Sequence, residues 1–137
     1  MLTKNQLINN NRLKKFSRRF TRILKKHPHL SGTIIRVRIA TPKKPNSARR
    51  PVAKITLSNF SSTVAHIPGI GHNLRKHSKV LINGRGARDL PGVNTSCVRG
   101  VYDFAGVLNK KYRRSIYGVK KSQDQKNFIR RKFRIKN

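Results

Sequence analysis

Five short apolar runs, separated by Gly, Pro, Asn and Ser residues, occupy the middle of this sequence. They cover residues 33–40, 52–58, 63–67, 80–82 and 96–102. The first two alternate apolar and polar residues with a period of two, which is typical of strands with one buried face. Short strands with turn residues between them predict a small barrel in preference to a sandwich. We favour an all-β, five-stranded OB-type barrel, because that barrel binds nucleic acids through its strand face and loops.

The first run predicts how its strand faces the core. Ile35, Val37 and Ile39 alternate with Arg36 and Arg38. This pattern predicts that the three apolar side chains enter the core and that the two arginines form a basic outer face.

The charge of the chain restricts its partners. Among its 137 residues, 34 Lys and Arg stand against three acids, all of them Asp, so the net charge is +31 and the pI is about 12. Self-repulsion of this size destabilises a compact domain unless a polyanion surrounds it, and a pI above about 9 is typical of nucleic-acid-binding domains. Nucleic acid and an anionic membrane are the two candidate polyanions. The chain contains no run of about 18 apolar residues, so we expect no membrane-spanning segment.

The cations are densest at the two ends of the chain. We therefore predict a basic N-terminal arm over residues 1–30, the barrel over residues 31–107 and a basic C-terminal tail over residues 108–137. In the arm, Thr3 and Gln6 have the spacing of a capping box, which predicts a short helix. A stripe of apolar residues predicts a second, amphipathic helix. Its members are Leu13, Phe16, Phe20, Ile23 and Leu24.

Aromatic residues of the predicted tail leave two interpretations open. Tyr112, Tyr117, Phe128 and Phe133 are interleaved with Lys and Arg. Aromatic rings at such positions stack on bases while the cations follow phosphates. In the other interpretation they anchor an otherwise disordered tail to a neighbouring protein.

Catalytic and metal sites find little support in the composition. With three Asp and no Glu, mechanisms that need a cluster of carboxylates are nearly excluded. The single cysteine, Cys97, excludes an internal disulfide, and its place in a predicted strand indicates a buried structural thiol. His72 and His77 are five residues apart with no Cys or acid close in sequence, so no zinc site is expected. We predict neither an enzyme nor a cofactor, and interpret these histidines as contacts for RNA or protein.

The segment from Thr41 to Arg50, which we name the Pro loop, joins the first two predicted strands. Pro42 and Pro45 fix their own φ and restrict the residues before them, so the loop is stiff and loses little entropy when a partner binds. Asn46 and Ser47 add short hydrogen-bonding groups among four cations. Such a loop suits close contact with a polyanion, but the same residue types form solvated turns, and composition leaves both interpretations open.

A second loop, residues 84–92, follows the fourth predicted strand. Its glycines permit close approach of the backbone. Asp89 is an isolated anion in a strongly cationic chain, and we expect it to pair with Arg85, Arg88 or a lysine of the Pro loop. The alternative is an exposed aspartate in a turn.

Five motifs of the chain are shared with one known family. TPKKPNSA stands at residues 41–48, HIPGIGHNLRKHS at 66–78, DLPGV at 89–93, VRG at 98–100 and SIYGVK at 115–120. On these motifs the chain resembles the family of small-subunit ribosomal protein twelve over most of its length, and the motif in the Pro loop is by itself highly specific. The resemblance implies an OB-type barrel with a long N-terminal arm, in a non-enzymatic structural constituent of the small ribosomal subunit. The implied partners are small-subunit rRNA, neighbouring ribosomal proteins, elongation factors and the codon–anticodon helix of mRNA and tRNA at the aminoacyl-tRNA site.

The resemblance also implies which residues act. Those expected to support decoding lie in the two loops: Lys43, Lys44, Pro45, Asn46, Ser47, Arg88, Asp89 and Pro91. The two lysines would contact rRNA phosphates, and the three residues after them would contact the decoding region. His77 would face the elongation factors.

The chain departs from the family pattern at several positions. Arg49-Arg50-Pro51 stands where Leu-Arg-Lys is usual, Arg75-Lys76 replaces Gln-Glu, and Arg88 replaces a lysine. The extra charge, the arms rich in Asn, Lys and Phe, and the stretch at residues 65–68 favour a mitochondrial member of the family. A plastid or bacterial copy is the alternative.

Two hypotheses from other classes compete with this one. A free OB-type binder of single-stranded nucleic acid would share the fold, but most predicted strands lack the aromatic residues of a stacking platform. A membrane-active cationic protein would act through residues 12–26 and would leave the Pro loop without a role.

Overall fold

A computed structural model describes residues 3–9, 21–25 and 27–121. It contains two short helices, α1 (Lys4–Asn9) and α2 (Thr21–Leu24). The five strands are β1 (His29–Ala40), β2 (Arg50–Leu57), β3 (Ser62–His66), β4 (Lys79–Asn83) and β5 (Thr95–Cys97). In the described part of the chain, no helix is long and apolar enough to cross a membrane.

The barrel closes on β1, which is the longest strand. Residues His29 to Thr33 pair with β4, and residues Gly32 to Ala40 pair with β2, both antiparallel. β3 and β5 pair in parallel, and the order around the barrel is β1-β2-β3-β5-β4. Each of the five strands therefore pairs with two neighbours. The prediction of an all-β, five-stranded OB-type barrel is confirmed.

The core is built from large apolar side chains on all sides of the barrel. Those that are completely buried include Ile34, Ile55, Ile67, Val80, Ile82 and Phe104. α2 adds Leu24 to the same core. Gly32 lets β1 approach β2, because a Cβ at this position would lie 2.7 Å from both Cγ2 of Ile55 and the carbonyl oxygen of Thr56.

The predicted orientation of β1 is correct at Val37, which packs against the core, and at the exposed Arg36 and Arg38, but it is wrong at Ile35 and Ile39. The pairing of β1 with β2 shifts register between Ile34 and Arg36. Ile34 is therefore the buried residue, whereas Ile35 is 42% exposed and Ile39 is 70% exposed. The shift leaves Ile35 without a partner on β2, so Ile34 and Val37, three residues apart, both face the core opposite the buried Ile55 and Ala53. Alternation in sequence does not reveal where such a shift falls.

The fifth strand is shorter than predicted. It ends at Cys97 instead of residue 102, because the chain turns inward at Arg99, which is 5% exposed. Nε of Arg99 donates a 2.5 Å hydrogen bond to the Pro68 carbonyl, and Nη1 donates a 3.1 Å bond to the Ala105 carbonyl. The guanidinium also stands 4.3 Å above the ring of Phe104. The carbonyl oxygens and the face of the aromatic ring thus compensate the buried positive charge of Arg99.

Cys97 is buried as the sequence predicts. Its exposed fraction is 2%, and burial raises the pKa of its thiol to about 12. A thiol with so high a pKa forms little thiolate at neutral pH and is unreactive.

The capping box of the N-terminal arm is present. The backbone N–H of Thr3 donates to Oε1 of Gln6 at 3.2 Å, and the backbone N–H of Gln6 donates to Oγ1 of Thr3 at 3.4 Å. The predicted stripe of the second helix is described only at Ile23 and Leu24. Its remaining members, Leu13, Phe16 and Phe20, lie outside the described residues.

The first part of the predicted tail packs against the barrel. The backbone N–H of Val107 donates a 3.0 Å hydrogen bond to the Tyr117 carbonyl. Gly118 has a φ of 64°, and a Cβ there would lie 2.7 Å from the carbonyl carbon of Arg99. Residues 105–119 are thereby held on the turn that follows β5. Phe128 and Phe133 lie outside the described residues.

The orientation of β1 can be tested by a pair of substitutions on this one strand. Ile34→Ala should lower the free energy of unfolding by about 2–5 kcal/mol, because it leaves a cavity in the core. Ile39→Ala should change it by no more than about 0.5 kcal/mol, since that side chain is largely in solvent. Urea unfolding of the two variants measures both values. Equal losses would contradict the burial of Ile34 and the exposure of Ile39.

Candidate nucleic-acid interface

The Pro loop and the second loop lie side by side on a small apolar cluster. The buried members of this cluster are Val52, Leu90 and Val93, and Ala40, Val64 and Ala87 pack against them. The second loop doubles back tightly here, because a Cβ on Gly86 would overlap the carbonyl oxygen of Val93. Both loops therefore stand on packed side chains, although their own residues are mostly polar.

Backbone hydrogen bonds join and shape the loops. The N–H of Lys43 donates a 2.8 Å bond to the carbonyl of Asp89, so the two loops are connected at their main chains. The N–H of Asn46 donates a 3.1 Å bond to the Lys43 carbonyl, which closes a turn at the tip of the Pro loop. The peptide bond between Lys44 and Pro45 is cis.

The tip of the Pro loop is exposed. Pro42 at its base is buried, whereas all residues from Lys43 to Arg49 are exposed. The five predicted Pro-loop site residues thus lie together at the surface, and Arg88, Asp89 and Pro91 lie on the neighbouring loop. This geometry makes the side chains of the tip accessible to a partner while the base is anchored.

The carboxylate of Asp89 connects the two loops with β2. Oδ2 of Asp89 accepts a 2.6 Å bond from Nε of Arg50 and a 3.4 Å bond from Nδ2 of Asn46. The Asp89 side chain is 14% exposed and the Arg50 side chain is 37% exposed. The hydrogen bond from Arg50 holds the pKa of Asp89 below its usual range, so this carboxylate stays ionised at neutral pH.

The expected partner of Asp89 is wrong. Its ion pair is with Arg50, the first residue of β2, and not with Arg85, Arg88 or a lysine. Arg85 and Arg88 lie near Asp89 in sequence, but their side chains are exposed. Which arginine pairs with Asp89 depends on how the two loops approach each other in three dimensions. Spacing along the chain does not reveal that approach.

His66, at the end of β3, is a neighbour of this ion pair that sequence analysis missed. It is half-buried, and burial lowers its pKa, with the positive charge of Arg50 lowering it further and Asp89 opposing the shift. The histidine therefore favours its neutral form beside the Arg50–Asp89 pair. The only sequence signal for a role of His66 is its position as the first residue of the HIPGIGHNLRKHS motif.

An open cleft of about 740 Å³ lies behind the two loops. Its walls come from the start of β2, the ends of β3 and β5, the second loop and the segment around residue 115. We name it the arginine cleft after the five arginines in its lining, Arg49, Arg50, Arg85, Arg88 and Arg113. Two histidines and a single carboxylate, that of Asp89, also line it.

His77 lies apart from the two loops. It is exposed on the connection between β3 and β4, with a φ of 68°, and its backbone N–H donates a 2.8 Å bond to the Ile34 carbonyl. Among the described residues, no hydrogen bond joins residues 68–78 to either loop. The structure brings the predicted loop residues together but leaves His77 on a separate surface.

Metal ligands do not converge in the described ranges 3–9, 21–25 and 27–121. No group of three His, Cys, Asp or Glu side chains lies close enough there to hold a metal ion. The interface is therefore one of cations, amides and hydroxyls.

Comparison with known proteins identifies the family that carries this interface. The family model of ribosomal protein S12/S23 matches residues 17–126. The chain belongs to the ribosomal protein S12/S23 family. It is 60% identical over 107 residues to the small ribosomal subunit protein uS12m of Paramecium tetraurelia, covering 78% of this chain and 77% of that relative. The predictions of a ribosomal protein of the mitochondrial type and of a structural protein instead of an enzyme are confirmed.

The ion pair of this ribosomal protein can be tested by carbon-detected titration of its carboxyl groups. The chain has only three aspartates, so their signals are readily assigned. Arg50→Gln should raise the pKa of Asp89, because the main hydrogen bond to the carboxylate is lost. Arg88→Gln removes the same charge from an adjacent residue and serves as the control. A larger rise in Arg88→Gln than in Arg50→Gln would contradict the observed pairing.

The lowered pKa of His66 predicts how the free energy of unfolding depends on pH. Its pKa in the folded protein is below the ordinary value of 6.5, so the unfolded chain binds this proton more tightly. The free energy of unfolding should therefore fall as the pH drops below about 6.5. His66→Gln should flatten the fall between about pH 7 and pH 5.5, ahead of the loss due to Asp89 at still lower pH. Urea unfolding at several pH values measures the slope, and an unchanged slope would contradict the assignment.

Proposed function

We propose that this ribosomal protein is a constituent of the mitochondrial small subunit that binds rRNA and supports the accuracy of codon–anticodon decoding at the aminoacyl-tRNA site. The observation that carries the proposal is the anchoring of an exposed polar tip by Asp89. The carboxylate of Asp89 holds Arg50 and Asn46, and its carbonyl holds Lys43. The tip therefore meets a partner with its groups already in place.

A stiff polar tip suits the inspection of RNA shape. A-form RNA exposes 2′-hydroxyls and base edges in a wide, shallow minor groove that proteins recognise mainly by shape. The amide of Asn46 and the hydroxyl of Ser47 both donate and accept hydrogen bonds. A mismatched pair moves the groove edges, and a polar group left unpaired against it costs about 1–3 kcal/mol. Discrimination of this kind tests pairing geometry and not base sequence.

The lysines of the tip supply the sequence-independent part of binding. Lys43 and Lys44 are exposed at the first two positions of the turn, where phosphates of rRNA can approach them. Contacts of lysine with phosphate release counterions and position the protein without reading bases. In this arrangement Arg88 and Pro91 lie on the flank of the tip, and Asp89 acts as the positioning residue for both loops.

His77 belongs to a second surface in this proposal. Its separation from the loops and its exposure suit a contact with an elongation factor instead of the codon–anticodon helix. Neighbouring ribosomal proteins would cover other parts of the barrel and the two basic arms.

Decoding accuracy in assembled subunits tests the proposal. Asn46→Ala should raise misreading of near-cognate codons by roughly five-fold. This factor corresponds to the loss of one hydrogen bond that contributes about 1 kcal/mol. Pro45→Ala should raise it less, because it loosens the loop without removing a polar group. Misreading by a reporter, together with sedimentation of each variant with the small subunit, gives accuracy and assembly separately.

Lys54→Ala is the control for these variants. Lys54 is exposed on β2 outside both loops, so its loss should leave misreading unchanged. Normal accuracy in fully assembled Asn46→Ala and Pro45→Ala subunits would remove the decoding role of the loop. A native protein that sediments free of small subunits at physiological salt would remove the ribosomal assignment itself and favour a free nucleic-acid binder.

A further inference from the structure

We propose that the arginine cleft binds an unpaired stretch of RNA, one or two nucleotides long, separately from the helix that the Pro loop inspects. This inference deepens the proposed rRNA binding and rests on it. The exposed tip of the Pro loop, residues 43–48, does not line the cleft, which lies between the strand ends, the second loop and the segment around residue 115. The Pro loop contributes Arg49 and Arg50 to the cleft, and the second loop contributes Arg88 and Asp89.

Charge is the first argument. Of the five arginines in the cleft, only Arg50 is within 4.0 Å of a carboxylate in the part of the chain that the structure describes. Arg49, Arg85 and Arg113 are exposed on different walls of the cleft. Guanidinium groups bind phosphate oxygens in a bidentate manner and remain charged at any physiological pH. Several such groups around one opening make the cleft suited to a polyanion that enters it.

The size of the cleft is the second argument. Its volume of about 740 Å³ falls within the range of about 300–1,000 Å³ found for sites that enclose small ligands. It has room for one or two nucleotides and not for a duplex. A single strand also suits the arrangement because its backbone can follow the arginines while its bases turn inward.

The chemistry of the remaining wall is the third argument. Asn83 and Ser115 bring hydrogen-bonding side chains into the lining, and Ile116 and Tyr117 bring apolar surface. Unpaired bases are recognised through their exposed edges and faces, which need both kinds of surface. An acidic peptide would use the cations but would gain little from this wall. The lining therefore favours RNA over an acidic protein segment.

The cleft is also held in shape before a ligand arrives. The segment that forms one wall is fixed by the bond between Val107 and Tyr117 and by the close packing of Gly118 on the Arg99 carbonyl. Arg99 ties the Pro68 carbonyl of the same lining to this turn. A site whose walls are already ordered loses less entropy on binding.

Binding of short RNAs to the full-length protein tests the proposal. The probes are a labelled single-stranded RNA hexamer, an RNA duplex and a poly-aspartate peptide, each titrated by fluorescence anisotropy at two salt concentrations. The cleft variant is Arg85→Gln with Arg113→Gln. The matched control is Arg36→Gln with Arg38→Gln, which removes the same charge from exposed positions on β1 outside the cleft. Circular dichroism verifies that both variants fold.

The cleft variant should lose at least ten-fold more affinity for the single strand than the control does, with a smaller difference for the duplex. Equal losses in the two variants, or an equal loss for the duplex or the peptide, would overturn the cleft site and leave the decoding proposal standing. Absence of RNA binding by the unaltered protein would overturn both. Crosslinking from position 113 in assembled subunits should reach unpaired rRNA, and crosslinks to duplex rRNA or to protein alone would contradict the proposal.

Discussion

The hydrogen-bonded ion pair between Asp89 and Arg50 is the interaction on which the arrangement of the loops depends. One residue joins three parts of the chain: its carboxylate binds Arg50 of β2 and Asn46 of the Pro loop, and its carbonyl binds the N–H of Lys43. In a chain of net charge +31, the surrounding cations favour the ionised carboxylate. The same charge that opposes a compact fold therefore stabilises the contact that orders the loops.

Arginines in the described part of the chain occupy three different environments. Arg50 is neutralised by Asp89, and Arg99 is buried against backbone carbonyls and the ring of Phe104. Arg85 and Arg113, by contrast, are exposed in the arginine cleft. A count of charges predicts that the protein meets a polyanion, but the position of each guanidinium decides where that polyanion is held.

Much of the fold could be predicted from local pattern, and much of the site could not. Turn residues and short apolar runs were sufficient for a five-stranded barrel, and the capping box at Thr3 and Gln6 was correct in detail. The register shift after Ile34 has no local signature, since either face of β1 carries isoleucines. The pairing of Arg50 with Asp89 and the inward turn of Arg99 depend on approaches between distant segments, which periodicity does not encode.

Arg50 decides whether the two proposed surfaces can be occupied together. Asp89 engages Nε of its guanidinium, and an arginine has five N–H donors in a fixed fork. A phosphate in the cleft can therefore bind the Nη groups without displacing Asp89. A phosphate bound there would make the electrostatic potential around Asp89 less positive, but Arg50 would still hold the carboxylate through its Nε. The ordering of the Pro loop by Asp89 is for this reason compatible with an occupied cleft, and the two sites need not compete.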